Sequence, residues 1–116
     1  KTNGLNIFNG KIKRFDFENL NNTRYSVPHV GWNCIKFGKR KKTNILNGIK
    51  DNEFMYFVHS YYVETSDQKI ISTKTKYGRK EFCSSVSYKN IFACQFHPER
   101  SGTTGIKIYE NFKKTL

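Results

Sequence analysis

The stretch NIFACQFHPERSG, residues 90–102, is the most informative part of the chain. Its apolar run, residues 91–96, is typical of a buried strand, and Pro98 cannot continue a sheet ladder. The strand therefore ends beside His97-Pro98-Glu99. On extended chain, side chains i and i+2 share a face about 6.6 Å apart, so we expect His97 and Glu99 to project together beyond the strand end.

An imidazole and a carboxylate in this position resemble a general base and its orienting partner. In such a pair the carboxylate orients the imidazole, and the imidazole takes a proton from a nucleophile. Strand ends are also where sites form in open α/β sheets. A histidine that makes only a structural hydrogen bond explains the same residues, so the pair alone leaves both interpretations open.

Downstream of this stretch the pattern changes to that of a helix. The apolar residues Ile106, Ile108, Tyr109 and Phe112 recur close to a 3.6-residue period. Cap-type residues occupy 101–104 and lysines stand in the last turn, as expected at the two ends of a helix. The sequence predicts one C-terminal helix.

Upstream of it the pattern is that of strands. Residues 54–64 are almost continuously apolar and predict a strand buried on both faces, central in the sheet and adjacent to 91–96. Residues 38–53 predict a polar loop with one short helical turn. The fold expected is α/β, a strand-rich mixed sheet with a C-terminal helix. Its predicted strands cover residues 10–17, 27–37, 54–64, 69–78, 81–90 and 91–96, the fourth and fifth forming a hairpin.

Composition indicates one modest, basic domain. The 116 residues include 21 Lys and Arg against 9 Asp and Glu, a net charge of +12, which favours contact with anions or simply a soluble lysine-rich surface. The run Lys39 to Lys42 is a candidate nucleic-acid patch, but no aromatic RNA-binding signature accompanies it, so a solvated loop is favoured. No apolar run approaches the length of a membrane span.

The three cysteines, Cys34, Cys83 and Cys94, are odd in number and lack metal-ligand spacing. They predict reduced thiols in a cytoplasmic protein, mostly core filler, and neither a metal nor a cofactor is expected.

Four motifs in order resemble one family. FACQFHPERSG, residues 92–102, resembles the QFHPE signature of the class I glutamine amidotransferases, in which a Cys–His–Glu triad hydrolyses the side-chain amide of glutamine. GLNIFNGKIKRF (4–15), VPHVGWN (27–33) and YFVHSYYVE (56–64) are similar to stretches of the glutaminase subunit of imidazole glycerol phosphate synthase. The resemblance covers essentially the whole chain but only the C-terminal part of the family's length.

The resemblance implies roles for individual residues. His97 would be the general base, Glu99 its orienter, and Ser60 and Tyr61 would lie beside bound glutamine. The family commonly has Lys directly after the triad Glu, so Arg100 keeps the charge but not the shape. The residues implied to face the synthase (cyclase) subunit that consumes the ammonia are Pro28, His29, Gly31, Trp32, Asn33 and Arg100.

Structural explanations that need no function also apply to His59, His29 and Trp32. His59 is expected to be a packed core residue, and His29, after Pro28, is expected to be exposed. Trp32 suits either an interface anchor or core packing.

The family's nucleophile stands in a G-x-C-x-G turn, and none of the three cysteines here has flanking glycines. We therefore expect residues 1–116, which begin without Met, to be the C-terminal portion of the domain and inactive alone. The function expected is supply of ammonia from glutamine to a heterodimer partner in histidine biosynthesis. The alternatives are a paralogue serving surface-sugar biosynthesis and, in a different class, a small basic nucleic-acid-binding module.

Overall fold

A computed structural model describes residues 2–17, 25–39 and 43–116. The basic run predicted as a loop falls partly outside these ranges, because residues 40–42 are not among them. Short 3-10 turns occupy Asn44–Leu46, as predicted, and Pro98–Arg100. The remaining elements are β1 (Lys11–Arg14), β2 (His29–Phe37), β3 (Glu53–His59), β4 (Tyr61–Glu64), β5 (Ile71–Tyr77), β6 (Lys80–Tyr88), β7 (Ile91–Cys94) and α1 (Gly102–Lys113).

The strands of the described residues form one seven-stranded sheet in the order β1-β4-β6-β5-β2-β3, with β7 also paired to β6. The α/β class, with its strand-rich sheet and C-terminal helix, is confirmed. The expected mixed pairing is a detail that differs, because each described strand pair is antiparallel. β5, β6 and β7 follow one another through tight turns, and such connections permit only antiparallel neighbours.

The β5–β6 hairpin forms where the sequence predicts it. Gly78 adopts a φ of +64°, and a Cβ at this position would come within 3.1 Å of the Phe17 and Tyr25 rings. Both the backbone conformation and the close approach of these rings therefore require glycine.

The apolar run at residues 54–64 does not form one strand buried on both faces. The chain breaks at Ser60: β3 pairs with β2, whereas β4 pairs with β1 and β6. Along β3, Met55 and Phe57 are buried while Phe54 and Val58 are exposed. The expected adjacency of β3 to β7 is also wrong, since β7 pairs with β6. Apolar content predicted burial here, but this outer face is apolar and uncovered in the chain described.

The apolar residues of β2 also lie on both faces of the strand. Ile35 is buried, but Val30 and Trp32 point outward and are 55% and 56% exposed. Each lies opposite an outward residue of β3, Val30 facing Val58 and Trp32 facing Tyr56. Because the side-chain period of a strand is two, a shift of one residue exchanges the two faces completely.

The helix α1 packs against the two 3-10 turns and against β3. It presents Ile108 and Gly105 to a core of aromatic and aliphatic residues, and burial of each large side chain is worth about 1.5–3 kcal/mol. In the described part of the chain, no helix is both long and apolar enough to cross a membrane. The central members of this core are Phe15, Ile35, Leu46, Met55, Phe57, Phe82, Phe96 and Ile108.

Residues 97–101 lie along the edge of β3 that is not paired with β2. The His97 backbone N–H donates to the Tyr56 carbonyl at 2.9 Å, and the Tyr56 N–H donates to Ser101 Oγ at 2.9 Å. The Ser101 hydroxyl in turn donates to the His97 carbonyl at 2.6 Å. These bonds fix the turn that follows β7 to the middle of β3.

Candidate active site

His97 and Glu99 form a direct hydrogen bond, with 2.7 Å between His97 Nδ1 and Glu99 Oε1. The pair predicted from the sequence is therefore present, and we call it the acid–base pair. Its geometry is not the one expected, because only His97 is extended (φ −105°, ψ 96°) and Glu99 lies in the 3-10 turn. The turn shortens the separation that an extended strand would impose.

Two features of the turn hold the pair in place. Pro98 is buried beneath it at the first position of the turn, where its fixed φ suits a helical start. Gly105 of α1 packs directly against the turn, since a Cβ there would collide with the Pro98 carbonyl oxygen. The close approach of helix and turn therefore depends on the absence of a side chain at this position.

Tyr109 is a further member of the site that the sequence did not reveal. Its hydroxyl donates to Glu99 Oε2 at 3.2 Å. The Glu99 carboxylate accepts a hydrogen bond from the backbone N–H of Glu99 and another from His97, and these bonds hold the pKa of the carboxyl below its ordinary value. Loss of hydration and the nearby Glu99 charge raise the pKa of Tyr109, so its hydroxyl stays protonated and can donate. The helical spacing of residues 106–112 places Tyr109 on α1 but gives no sign that it faces Glu99.

The acid–base pair has the electronic arrangement of a general base. Because ionised Glu99 accepts the Nδ1–H of His97, the neutral imidazole keeps its Nε2 lone pair free to take a proton. A positive charge formed on the ring is stabilised by the carboxylate at 2.7 Å. His97 is half-exposed, so a substrate or nucleophile can reach it.

Two of the three cysteines are held as thiols by their surroundings. Burial raises the pKa of Cys83 to about 11 and that of Cys94 to about 12, so both remain thiols. Each of these two thiols donates to a backbone carbonyl, Cys83 to Ser85 and Cys94 to Phe96. Cys34 is partly buried on β2. In residues 2–17, 25–39 and 43–116, no group of three or more His, Cys, Asp and Glu could hold a metal ion.

Ser60 and Tyr61 lie at the junction between β3 and β4. The Ser60 carbonyl accepts the backbone N–H of Phe15 at 3.0 Å, and Tyr61 is 49% exposed. The His97 backbone is bonded to β3 at Tyr56, four residues before Ser60, so β3 connects the turn that carries the acid–base pair to this junction.

The residues implied to face a partner subunit are mostly accessible. Trp32 is exposed and packs edge-on against Tyr56 with 6.0 Å between ring centroids, so it is a surface residue and not a core residue in the chain described. Pro28 and Arg100 are exposed, while Gly31 and Asn33 are half-buried.

His29 differs from expectation because it is buried, only 3% exposed. It precedes the outward Val30 on β2 and therefore points inward, where it stacks on Tyr77 at 3.9 Å between ring centroids. Its Nδ1 lies 2.9 Å from Nε2 of His59, which is buried as expected. We call these two the buried histidine pair. The sequence gives no sign of their contact, which depends on the antiparallel register of β2 and β3, in which His29 lies opposite His59.

The class I glutamine amidotransferase family model matches residues 7–115 of the chain. The imidazole glycerol phosphate synthase subunit HisH of Caldanaerobacter subterraneus subsp. tengcongensis is 43% identical over 116 residues, which are all of this chain and 53% of that relative. The HisH subunits of Pelagibacter ubique and Methanocaldococcus jannaschii are each 46% identical, with 97% of this chain covering 51% and 53% of theirs.

The chain thus spans about half the length of the curated relatives it matches. The family model nevertheless covers nearly all of its residues, including both members of the acid–base pair. The chain belongs to the class I glutamine amidotransferase family.

Proposed function

We propose that this chain is the C-terminal portion of a glutaminase subunit that hydrolyses glutamine to glutamate and ammonia. The ammonia passes to a synthase (cyclase) subunit in histidine biosynthesis, and the relatives named as imidazole glycerol phosphate synthase subunits support such an assembly. The observation that carries the proposal is the 2.7 Å bond between His97 and Glu99 in a member of this family.

In the proposed reaction His97 is the proton carrier. Its Nε2 takes the proton of a cysteine thiol, and the thiolate attacks the side-chain carbonyl carbon of glutamine. The imidazolium, stabilised by Glu99, then returns the proton to the departing nitrogen, which leaves as ammonia with a thioester on the enzyme. His97 next activates a water that cleaves the thioester and releases glutamate. Ser60 and Tyr61 hold the glutamine beside this pair.

The thiol in this scheme comes from outside residues 1–116. The raised pKa values of Cys83 and Cys94 support this, because the thiolate is the reactive form and burial disfavours it in both. We therefore propose that these 116 residues alone do not hydrolyse glutamine.

We also propose the partner surface. It comprises exposed Trp32, Pro28 and Arg100 together with half-buried Gly31 and Asn33, and buried His29 supports it from the opposite face of β2. Trp and Arg are favoured at the centres of interfaces, and the charge of +12 suits an acidic surface on the synthase, chiefly by accelerating association. The assembly would be a cytoplasmic heterodimer with combined glutaminase and lyase activity.

Two other functions would leave the same residues in place. A paralogue that supplies ammonia for surface-sugar biosynthesis shares the glutaminase chemistry and differs in its synthase. A basic nucleic-acid-binding module would instead show DNA or RNA affinity that falls steeply with salt. Filter binding at two salt concentrations tests the latter.

Glutamate release from glutamine tests the proposed function. The 116-residue chain should give no turnover, whereas the whole protein with its synthase should give glutamate and, with the synthase substrate present, consume the ammonia. Turnover by the 116 residues alone, lost on changing one of Cys34, Cys83 or Cys94 to Ser, would contradict the proposal. The matched control is the same chain with His97→Ala, which should be inactive in either case.

A further inference from the structure

The buried histidine pair is the centre of a continuous chain of hydrogen bonds. At one end Asn33 Nδ2 lies 3.3 Å from His29 Nε2. His29 Nδ1 lies 2.9 Å from His59 Nε2, and His59 Nδ1 lies 2.7 Å from the Tyr61 carbonyl oxygen. The chain therefore runs from β2, across β3, to the first residue of β4.

Backbone groups at both ends fix the direction of this chain. A carbonyl oxygen can only accept, so His59 must carry its proton on Nδ1. Its neutral ring then leaves Nε2 as an acceptor, and His29 Nδ1 must donate to it. His29 Nε2 is left as an acceptor, and the donor it faces is the Asn33 amide.

The orientation of the Asn33 amide is fixed independently. Its Nδ2 donates to the Lys76 carbonyl at 2.9 Å, and its Oδ1 accepts the backbone N–H of Cys34 at 2.8 Å. A flipped amide would set oxygen against oxygen and N–H against N–H. The donor end and the acceptor end thus agree on one proton arrangement, with both imidazoles neutral and protonated on Nδ1.

The surroundings of the pair favour these neutral rings. The groups packed against it from neighbouring elements are the uncharged rings of Phe15, Phe57, Tyr77 and Phe82. Burial, with the neighbouring His59, lowers the pKa of His29 to about 4. Burial also lowers the pKa of His59, opposed by its bond to the Tyr61 carbonyl, and charge on His97 lowers it further. A proton added to either ring would place two N–H groups face to face and break the chain of hydrogen bonds.

We propose that His29 and His59 are positioning residues that hold the Tyr61 carbonyl, and with it the β3–β4 junction, in the orientation that glutamine requires. The inference rests on the proposed function, in which Ser60 and Tyr61 lie beside the substrate. Neither histidine touches the reacting atoms. Asn33 anchors the far end, so the junction is held from the neighbouring strand and not by β4 alone.

Nitrogen NMR of histidine-labelled whole protein at pH 7 tests the proposed chain of hydrogen bonds. Both rings should be neutral with the proton on Nδ1, assigned by the loss of each signal in His29→Gln and His59→Gln variants. Because the hydrogen bonds of a buried imidazole set its tautomer, a proton on Nε2 or a charged ring at either position overturns the inference. This measurement needs no substrate.

Glutamine kinetics of the whole protein with its synthase test the positioning role. His59→Phe fills similar volume but cannot donate to Tyr61, and it should raise KM for glutamine about fivefold, as expected for one net hydrogen bond, with kcat changed less. His59→Asn keeps an amide N–H near the Nδ1 position and should restore KM to within about twofold of the unmodified value.

The matched control is Phe82→Leu. Phe82 packs against both rings of the buried histidine pair, with centroid distances of 6.2 and 5.1 Å, but takes no part in the chain of hydrogen bonds. It should lower the thermal midpoint and leave KM unchanged. Equal KM values for His59→Phe and Phe82→Leu would overturn the positioning role. If the unmodified protein and its synthase release no glutamate, the proposed function fails, while the tautomers still decide the hydrogen-bond chain.

Discussion

The acid–base pair and the buried histidine pair have nearly the same geometry and opposite properties. Each joins a histidine Nδ1 to its partner at hydrogen-bond distance, 2.7 Å for His97 and 2.9 Å for His29. The partner of His97 is an exposed, ionised carboxylate, whereas the partner of His29 is a second buried imidazole. The first arrangement stabilises an added proton and the second excludes it.

The surroundings of a histidine, and not its side chain alone, decide what it can do. A half-exposed ring beside a carboxylate can exchange protons during a reaction. A ring enclosed by aromatic side chains, with both nitrogens already engaged, can serve only as a fixed donor and acceptor. Removing the acid–base pair should therefore act mainly on turnover, and removing the buried histidine pair on stability and, through Tyr61, on glutamine binding.

The largest effect is expected for His97→Ala in the whole protein with its synthase. Removing the base should lower glutamate release by at least about 10³-fold, because members of a catalytic unit lose most of the acceleration together. Initial rates at saturating glutamine measure this. Folding should be unaffected, since the backbone bond of His97 to Tyr56 does not involve its side chain.

The controls for that experiment are Cys34→Ser, Cys83→Ser and Cys94→Ser, each of which should retain turnover. A loss comparable to that of His97→Ala in one of them would identify the nucleophile within these residues.

The next largest effect is acid destabilisation through the buried histidine pair. With a folded pKa of about 4 for His29 and an unfolded value near 6.5, the unfolded chain binds the proton first. The stability is complete above about pH 6.5 and is lost as the pH falls towards 4, on the order of 3 kcal/mol in total. Urea unfolding of the whole protein at a series of pH values measures the loss.

The control is His29→Phe, which should be less stable at pH 7 but should lose less on acidification than the unmodified protein. Unchanged stability between pH 7 and pH 4.5 in the unmodified protein would show that the pair is not held neutral.

The smallest effect is expected for Tyr109→Phe. This change removes only the 3.2 Å bond to Glu99, and water can replace the hydroxyl at an exposed carboxylate, so turnover should fall less than about threefold. Glutamate release by this variant should be compared with that of Glu99→Gln, which removes the orienting charge and should cost far more. Equal losses in the two variants would give Tyr109 a direct part in the reaction.

The order and type of the elements could largely be read from the sequence. The C-terminal helix, the β5–β6 hairpin and the strand before His97 follow from period and turn residues, which are local signals. The sequence could not show which faces of β2 and β3 are buried, because their outer residues Trp32 and Phe54 are as apolar as their inner ones. Hydrophobicity identifies a core face only where the opposite face is polar.

The candidate site divides in the same way. His97 and Glu99 are two residues apart, so their contact is a local property and was predicted, although through a 3-10 turn instead of an extended strand. Tyr109 reaches Glu99 only through the packing of α1, and His29 meets His59 only through the register of two strands. Contacts that depend on tertiary register leave no trace in a single sequence.

The docking of residues 97–101 on β3 also covers part of an open strand edge. An open strand edge offers unpaired N–H and C=O groups that another chain can use to extend the sheet. Here the Tyr56 N–H and carbonyl are already occupied by the Ser101 hydroxyl and the His97 N–H. The turn that presents the proposed base thus also occupies backbone groups that another strand could otherwise bind. A change that loosens the turn should therefore increase aggregation as well as lower catalysis.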